Sequence, residues 1–192
     1  MLPPVHALSV FLLLAAGAAA QDTPAHQAVP AGWAVDTASV TFEIRNAGLP
    51  VRGSFGGLEA TVCFDPDEPA AGSIVASIDP ATIDTGIGLR DRHLARRGYF
   101  EVAKYGRIQM RSVRLDRAAA GYTGTFALRI RDVERGVEIP FTFEGSGANA
   151  RIAGSLDLNR LDWGIGKESL ILSDDVTITV ELTLSPAPLS CH

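Results

Sequence analysis

The sequence holds few of the residues that build metal centres. Among its 192 residues there are two cysteines and four histidines. His6 and His26 lie near the N-terminus and His192 is the last residue, so His93 is the one histidine within the segment that reads as a folded domain. A metal centre needs several convergent His, Cys or carboxylate ligands. The sequence therefore predicts no metal site.

Motifs for nucleophilic or nucleotide chemistry are also missing. The sequence contains no Gly-x-Ser-x-Gly elbow, no Gly-x-Gly-x-x-Gly and no P-loop. Asp91 lies two residues from His93, and side chains two positions apart on a helix do not face each other. We therefore predict no catalytic residue and no cofactor. A hydrolase that uses His93 remains an alternative.

The chain has no excess of positive charge. It carries 17 Lys and Arg against 22 Asp and Glu, which gives a formal net charge of −5, and its pI is near 5.3. Proteins that bind nucleic acid need a basic face to contact the phosphates. We therefore predict that the protein has no nucleic-acid partner.

Long apolar runs are scarce, and the longest spans residues 8–20 and ends in Ala18-Ala19-Ala20. This pattern is typical of a secretory signal peptide, although an uncleaved anchor is the alternative. No later run approaches the roughly 20 residues that span a bilayer. We predict a periplasmic or secreted protein with no membrane span after signal cleavage. Its parts are a signal peptide at 1–20, a disordered leader at 21–31, a domain at 32–185 and a tail at 186–192.

The two cysteines, Cys63 and Cys191, lie far apart in the sequence. Cys63 falls in a strand pattern and Cys191 is one residue from the end. An oxidising compartment allows them to form a disulfide. The alternative is one strand cysteine and one tail thiol, which can join two chains into a homodimer. Spacing alone leaves both options open.

Alternation of apolar and polar residues with period two dominates the domain. Residues 40–45 alternate strictly, which predicts a half-buried strand. Residues 49–64 contain glycines at three positions and predict a long strand broken by a bulge or tight bend. A phase slip at Ser112-Val113 predicts a bulge, and Glu134-Arg135-Gly136 is predicted to form a turn.

Around eight such strands, each apolar on one face only and joined by short turns, predict an all-β fold. An antiparallel meander of this kind closes as a barrel or stacks as a sandwich. A barrel is favoured because it removes the long apolar edge strands that promote aggregation. We predict an eight-stranded antiparallel barrel with a short helix inserted around residues 87–97, where Leu89 and His93 are spaced four residues apart.

Several motifs, taken together and in order, resemble those of the YceI-like family of exported, lipocalin-like barrels associated with polyisoprenoid binding. The resemblance extends from about residue 32 to 184. Its motifs are Trp33-Ala34-Val35-Asp36, Gly53-Ser54-Phe55, Phe64-Asp65-Pro66-Asp67, the stretch from Ile78 to Gly86, Arg90-Asp91-Arg92-His93-Leu94, Tyr99-Phe100-Glu101-Val102, residues 128–140, Trp163-Gly164-Ile165-Gly166 and Asp175-Val176-Thr177-Ile178.

The resemblance implies an eight-stranded, lipocalin-like barrel with a central tunnel for a long-chain isoprenoid lipid, such as a polyisoprenoid or an isoprenoid quinone, or for a fatty-acid derivative. Arg90 and His93 are expected at its mouth, near the ligand headgroup. Alternation identifies the inside of a barrel and cannot show whether it is hollow. A solid barrel that acts as a stress-related or electron-transfer accessory partner is therefore the alternative. The predicted lipid-binding residues are Phe42, Ile44, Val62, Phe64, Ile78, Leu89, Leu94, Phe100, Met110, Phe126, Leu128, Ile130, Phe141, Phe143, Leu156, Trp163, Ile178 and Val180.

Overall fold

The computed structural model describes residues 32–146, 148–188 and 191. The predicted signal peptide and the predicted leader at 21–31 lie outside these residues. None of the helices in the described part of the chain is long and apolar enough to cross a membrane.

The described domain consists almost entirely of β-strands. The strands are β1 (Gly32–Asn46), β2 (Leu49–Phe55), β3 (Glu59–Cys63), β4 (Ser73–Ile78), β5 (Ile108–Ala118), β6 (Gly121–Ile130), β7 (Val133–Ser146), β8 (Asn149–Asn159) and β9 (Leu172–Pro186). One α-helix, α1 (Gly88–Leu94), lies between β4 and β5. Short 3₁₀ turns span Pro69–Ala71, Pro80–Thr82 and Arg160–Trp163.

The sheet closes into a barrel because β9 returns to pair with β1. Their antiparallel register runs from Trp33 opposite Pro186 to Asn46 opposite Leu172. The other neighbours around the ring are also antiparallel. On its other side β1 pairs first with β3 and then with β2. Since β2 and β3 share one place in the ring, nine strand segments make eight positions, and the predicted eight-stranded barrel is confirmed.

The break between β2 and β3 lies at residues 56–58, within the stretch predicted as one interrupted strand. Gly57 there has a φ of +64°, a conformation that favours glycine. Beyond β1, the other edge of β2 meets no strand among the described residues. It is covered instead by the segment after β4, where Ser54 and Asp84 exchange two backbone hydrogen bonds of 2.8 and 2.9 Å. The Thr82 hydroxyl also donates to the Gly56 carbonyl at 2.9 Å.

Two local predictions have different outcomes. The register shift between Ser112 and Arg114 confirms the bulge at Val113. The turn predicted at Glu134-Arg135-Gly136 is wrong, because these residues lie in β7. The chain reverses two residues earlier, at residues 131–132, where Arg131 adopts a φ of +58°. Alternation did not reveal this turn because an arginine seldom takes a left-handed conformation.

One end of the barrel is filled by packed aromatic side chains. The Phe64 ring lies edge-on to Tyr122 with centroids 4.9 Å apart, and 5.0 Å from the Phe143 ring. Trp33 packs against Phe143 and donates from Nε1 to the Phe64 carbonyl at 2.9 Å. We call this the closed end. Aromatic pairs of this geometry stabilise beyond their buried area. Phe64 is fully buried within this cluster, so this end is packed core.

A disulfide lies at the closed end. Cys63, the last residue of β3, is bonded to Cys191 across a sequence separation of 128 residues. Of the two arrangements that the sequence left open, the structure contains the intramolecular pair. The bond ties the C-terminal segment to the barrel wall.

The predicted helix is present but shorter than predicted. It begins at Gly88 and ends at Leu94, with Ala95 as its C-cap. After it the chain folds into turns, because the Leu94 carbonyl accepts from the Phe100 N–H at 3.0 Å. Gly98, at a φ of +87°, lies within this turn. The turn brings the Phe100 side chain back over the open end of the barrel.

Candidate functional site

Two adjacent cavities lie inside the barrel, and we call them together the tunnel. The deep cavity has a volume of about 190 Å³ and lies mid-barrel. The outer cavity has a volume of about 270 Å³ and lies at the end opposite the closed end, which we call the mouth. The two lie side by side and share five lining residues, which are Phe55, Phe100, Ile130, Leu158 and Ile178. Phe55 and Phe100 lie edge to face at this boundary, with centroids 5.6 Å apart.

The deep cavity exists because small side chains occupy part of its wall. Ala60 pairs with Ala76, Ala76 with Met110, and Met110 with Leu128, which forms one row across four strands. These residues share the inward face, since directly paired residues lie on the same side of a sheet. Two alanines in succession leave space that larger side chains would fill. Among its described lining residues only Ser77 and Gln109 carry polar side chains.

Polar groups gather at the mouth, on and before α1. Thr85 is 9% exposed, and its N–H and hydroxyl both donate to Asp91 Oδ1, at 3.0 and 2.5 Å. Arg90 donates from Nε to the Thr85 hydroxyl and from Nη2 to the Thr85 carbonyl, both at 2.7 Å. The Nη1 group of Arg90 has no hydrogen-bond partner among the described residues. This arrangement holds a guanidinium in the lining of the outer cavity.

Arg160 organises the opposite side of the mouth. The residue is 7% exposed, and its guanidinium donates to the carbonyls of Ser173, Ile165 and Lys167 at 2.8 to 2.9 Å and to Asp174 Oδ1 at 2.6 Å. These bonds fix the loop between β8 and β9. A buried charge with this many partners is satisfied within the protein. Sequence patterns gave no sign of its role, because it lies in an irregular segment outside every alternating strand.

The same loop supplies Trp163 and Ile165 to the tunnel. Both are buried, at 3% and 8% exposure. Trp163 donates from its indole N–H to the Leu128 carbonyl at 3.4 Å, and both side chains line the outer cavity. The Arg160 contacts therefore set the shape of one tunnel wall.

The groups that could do chemistry are sparse at the mouth. The His93 ring lies 4.6 Å from the Tyr99 ring. Within the described ranges no side chain hydrogen-bonds to that imidazole. The same residues contain no group of three or more His, Cys, Asp or Glu that could hold a metal. Lys104 lies outside the tunnel lining. A hydrogen bond with the Tyr105 side chain is the main cause that raises the pKa of its exposed ammonium, and the charge of Tyr105 is the second cause.

The structure brings most of the predicted lining together. Arg90 and His93 lie at the mouth as expected. Fourteen of the predicted lipid-binding residues line one or both cavities, and these are Phe42, Ile44, Ile78, Leu94, Phe100, Met110, Phe126, Leu128, Ile130, Phe141, Leu156, Trp163, Ile178 and Val180.

Four predicted lining residues lie elsewhere. Val62 and Phe64 are fully buried, and with the half-buried Phe143 they pack in the core at the closed end. They point inward as predicted, but the aromatic cluster leaves no space beside them. Leu89 is 70% exposed, because the helix turns it outward from the mouth. The prediction that these four side chains line the tunnel is corrected.

Sequence reasoning also missed part of the lining. Val176, Leu158, Ala60 and Ala76 each lie two positions from a predicted lining residue, on the same face of an alternating strand, so the sequence pattern contained that signal. Others come from irregular segments or strand ends where no pattern applies. These are Asn46, Val51, Phe55, Ile83, Thr85, Tyr99, Arg160, Ile165 and Leu172.

Known proteins resemble this chain in both sequence and structure. A protein of the UPF0312 group from Pseudomonas syringae pv. tomato is 30% identical over 170 residues, which is 80% of this chain and 88% of that protein. The crystal structure of Burkholderia cenocepacia BcnA is similar with a TM-score of 0.75 and 27% identity, over 78% of this chain and 99% of that one.

A more distant structure shares the fold. It is described as a polyisoprenoid binding domain from Saccharophagus degradans implicated in plant cell wall breakdown. The TM-score is 0.61 and the identity 15%, over 83% of this chain and 99% of that domain. The family model described as the YceI-like domain matches residues 33–184, which is nearly the whole barrel, and the chain therefore belongs to the YceI-like family.

Proposed function

We propose that the protein binds one single-chain lipid in its tunnel, without chemical conversion, for transport or storage. The ligand class is a polyisoprenoid, an isoprenoid quinone or a fatty-acid derivative. The observation that carries this proposal is the pair of adjacent apolar cavities between the mouth and the packed closed end. An apolar interior with polar groups at the mouth suits a ligand that enters tail first.

The tunnel dimensions favour a chain over a compact ligand. Val176 and Leu182 on β9 both line it, at the mouth and in the deep cavity. Six residues of strand extend roughly 20 Å, so the two cavities together span a length that suits an extended chain. A linear tail fits this shape, and its affinity comes from apolar burial at about 25 cal/mol per Å², less the cost of ordering.

The distribution of polar groups sets the orientation of the ligand. Arg90 and Asn46 line the outer cavity, whereas the deep cavity is almost entirely apolar. A hydroxyl, carbonyl or phosphate headgroup at the mouth can therefore accept from the Nη1 group of Arg90. A charged group in the deep cavity would lose its hydration without compensation.

A binding role agrees with the residues around His93. A nucleophilic enzyme needs a Ser or Cys within hydrogen-bond reach of its base and a group that orients the base. Among the described residues no side chain hydrogen-bonds to the His93 ring.

The structural likeness to the polyisoprenoid binding domain of Saccharophagus degradans is a likeness of fold, and it supports a lipid ligand of this type.

We also propose that the protein acts in the periplasm or outside the cell. The apolar run at 8–20 supports export. The disulfide between Cys63 and Cys191 supports it as well, because structural disulfides persist in oxidising compartments and are rare in the cytosol.

Native mass spectrometry of the purified protein, followed by solvent extraction, tests the proposal. We expect either a retained lipid or stoichiometric uptake of an added polyprenol or quinone. A protein that retains no lipid and takes up neither probe would instead be the solid accessory barrel. His93→Ala is expected to retain the ligand. A hydrolytic activity on the bound lipid that disappears in His93→Ala would establish the enzyme alternative.

A further inference from the structure

The mouth of the tunnel is surrounded by exposed large apolar side chains. Leu49 is 71% exposed, Ile87 53%, Leu89 70%, Leu170 105% and Ile171 64%. We call these five residues the rim. Scattered single apolar residues on a protein surface need no explanation. The rim residues are different because all five lie on segments that border the outer cavity.

Three chain segments carry the rim, and the structure joins them at the mouth. The Ala47 N–H donates to the Ile171 carbonyl at 2.6 Å, which places the turn after β1 against the loop before β9. The bridge between Ser54 and Asp84 joins β2 to the segment that leads into α1.

Each rim residue also lies within two sequence positions of a residue that lines the outer cavity. Leu49 lies between Asn46 and Val51, and Ile171 is next to Leu172. Ile87 and Leu89 lie between two other lining residues, Thr85 and Arg90. The rim is therefore an outward continuation of the apolar tunnel wall.

The rim segments carry a positive charge in an acidic protein. Residues 45–52, 83–97 and 166–172 contain seven Arg or Lys and three Asp or Glu, a formal charge of +4, whereas the whole chain has −5. Arg92, Arg96, Arg97 and Lys167 are exposed, and none of them forms an ion pair with a described residue. Exposed apolar groups interspersed with free cations are the features of a surface that binds an anionic bilayer.

We propose that the rim docks on the surface of a membrane rich in anionic phospholipid and presents the tunnel mouth to it. This inference rests on the proposed function, because docking lets a lipid tail pass between bilayer and tunnel without crossing water. The apolar rim side chains enter the headgroup region, and the surrounding cations contact lipid phosphates. The occupant is the bilayer surface, and a second copy of the chain is the competing occupant.

Sedimentation with vesicles tests the docking. The full chain is mixed with vesicles of neutral phosphatidylcholine or of phosphatidylcholine containing phosphatidylglycerol. We expect binding to the anionic vesicles that weakens with added salt. Leu89→Ser combined with Leu170→Ser is expected to weaken binding about tenfold or more, because each change removes an apolar group from the bilayer. The matched control combines Val75→Ser with Val113→Ser, at 53% and 64% exposure on the barrel wall.

The charge contribution has its own variants. Arg92→Gln, Arg96→Gln and Arg97→Gln together are expected to weaken binding to anionic vesicles by about a hundredfold, since each cation near such a surface contributes about fivefold. The control removes three exposed arginines from the strands, which changes the net charge by the same amount and is expected to leave binding within about twofold. These control changes are Arg114→Gln, Arg117→Gln and Arg151→Gln.

Three outcomes would overturn the proposal. The first is no binding to either vesicle type. The second is vesicle binding that does not depend on the rim. In that case the rim and control variants lose affinity equally, or the rim variants keep their affinity because residues 1–31, which every variant contains, bind the vesicles. The third is a homodimer in analytical ultracentrifugation that dissociates in the Leu89→Ser and Leu170→Ser variant while vesicles are not bound, which would assign the rim to a second copy.

Lipid uptake separates this proposal from the proposed function. The Leu89→Ser and Leu170→Ser variant is expected to bind a short, water-dispersed polyprenol as tightly as the unchanged protein and to extract polyprenol from vesicles more slowly. A protein that takes up polyprenol and ignores vesicles would refute docking alone. A protein that binds vesicles and takes up no lipid would refute the lipid-carrier function and leave docking in place.

Discussion

Replacing Ala76 by Phe tests directly whether the deep cavity holds the lipid tail. Ala76 lies mid-strand on β4 in the inward row between Ala60 and Met110, and it lines the cavity of about 190 Å³. A phenyl ring at this position extends into the space that the tail would occupy. Its volume is similar to that of one five-carbon isoprene unit.

The size of the effect follows from apolar burial. Displacing five carbons at about 0.8 kcal/mol each costs about 4 kcal/mol before any compensation. The displaced unit regains conformational freedom and part of its contact elsewhere. We therefore expect a net loss of about 2 kcal/mol, or about a 30-fold increase in Kd.

The assay is a titration with polyprenols of increasing length, followed by quenching of tryptophan fluorescence. The length series adds a second criterion, because a chain short enough to end before the deep cavity is expected to bind the variant as well as it binds the unchanged protein. Trp163 is a suitable reporter, since it lines the outer cavity.

The matched control is Val75→Phe, on the same strand and facing solvent at 53% exposure. It enlarges the neighbouring side chain on the opposite face and is expected to leave Kd unchanged. Equal affinity of Ala76→Phe and the unchanged protein for every chain length would refute the reasoning, as would equal losses in the two variants. Thermal unfolding of both variants shows whether the barrel remains intact.

Three further substitutions test the framework around the tunnel. Cys191→Ser removes the bond to Cys63, which closes a loop across 128 residues, and is expected to cost about 3 to 5 kcal/mol of unfolding free energy in urea titrations; an unchanged midpoint would show that the bond does not form in solution. Arg160→Met leaves three carbonyls and a carboxylate without their donor, and a loss of about 3 kcal/mol is expected by the same measurement. Gly53→Ala places a methyl group 2.7 Å from a backbone oxygen and against the Phe42 ring, and thermal unfolding is expected to show a loss of about 1 to 3 kcal/mol, whereas a neutral result would mean that β2 can shift.

Alternation predicted most of the barrel because each strand buries one face. The rows through Phe126, Phe141, Leu156 and Val180 all point into the tunnel as expected. Even the irregularities of the wall had a signal, since the phase slip marked the bulge at Val113. A one-residue change in register turns every side chain to the other face, which is why these patterns are reliable.

The pattern could not separate tunnel from packed core. Phe64 and Phe126 both lie on inward rows, yet Phe64 packs among Tyr122, Phe141 and Phe143 whereas Phe126 lines a cavity. That difference depends on which side chains meet from distant strands, and alternation within one strand has no information on it. Leu89 was misplaced for a related reason, because helical spacing gives two residues a common face without showing which face is buried.

Contacts of irregular segments were the least predictable part. Arg160 satisfies its guanidinium with carbonyls from the loop between β8 and β9, and each partner lies there because the loop is folded. The pairing of Cys63 with Cys191 likewise depends on where the chain terminus returns. Such contacts follow from the tertiary structure and have no local sequence signal.

The edge of β2 that faces away from β1 is a weak point in the barrel wall. Most neighbouring strands are joined by continuous ladders of hydrogen bonds. This edge of β2 is held to the segment before α1 mainly by the two backbone hydrogen bonds between Ser54 and Asp84 and by the Thr82 hydroxyl. Each such bond contributes only about 0.5 to 1.5 kcal/mol net. Breaking these few hydrogen bonds would therefore widen the barrel at the mouth while β5 to β8 stay paired.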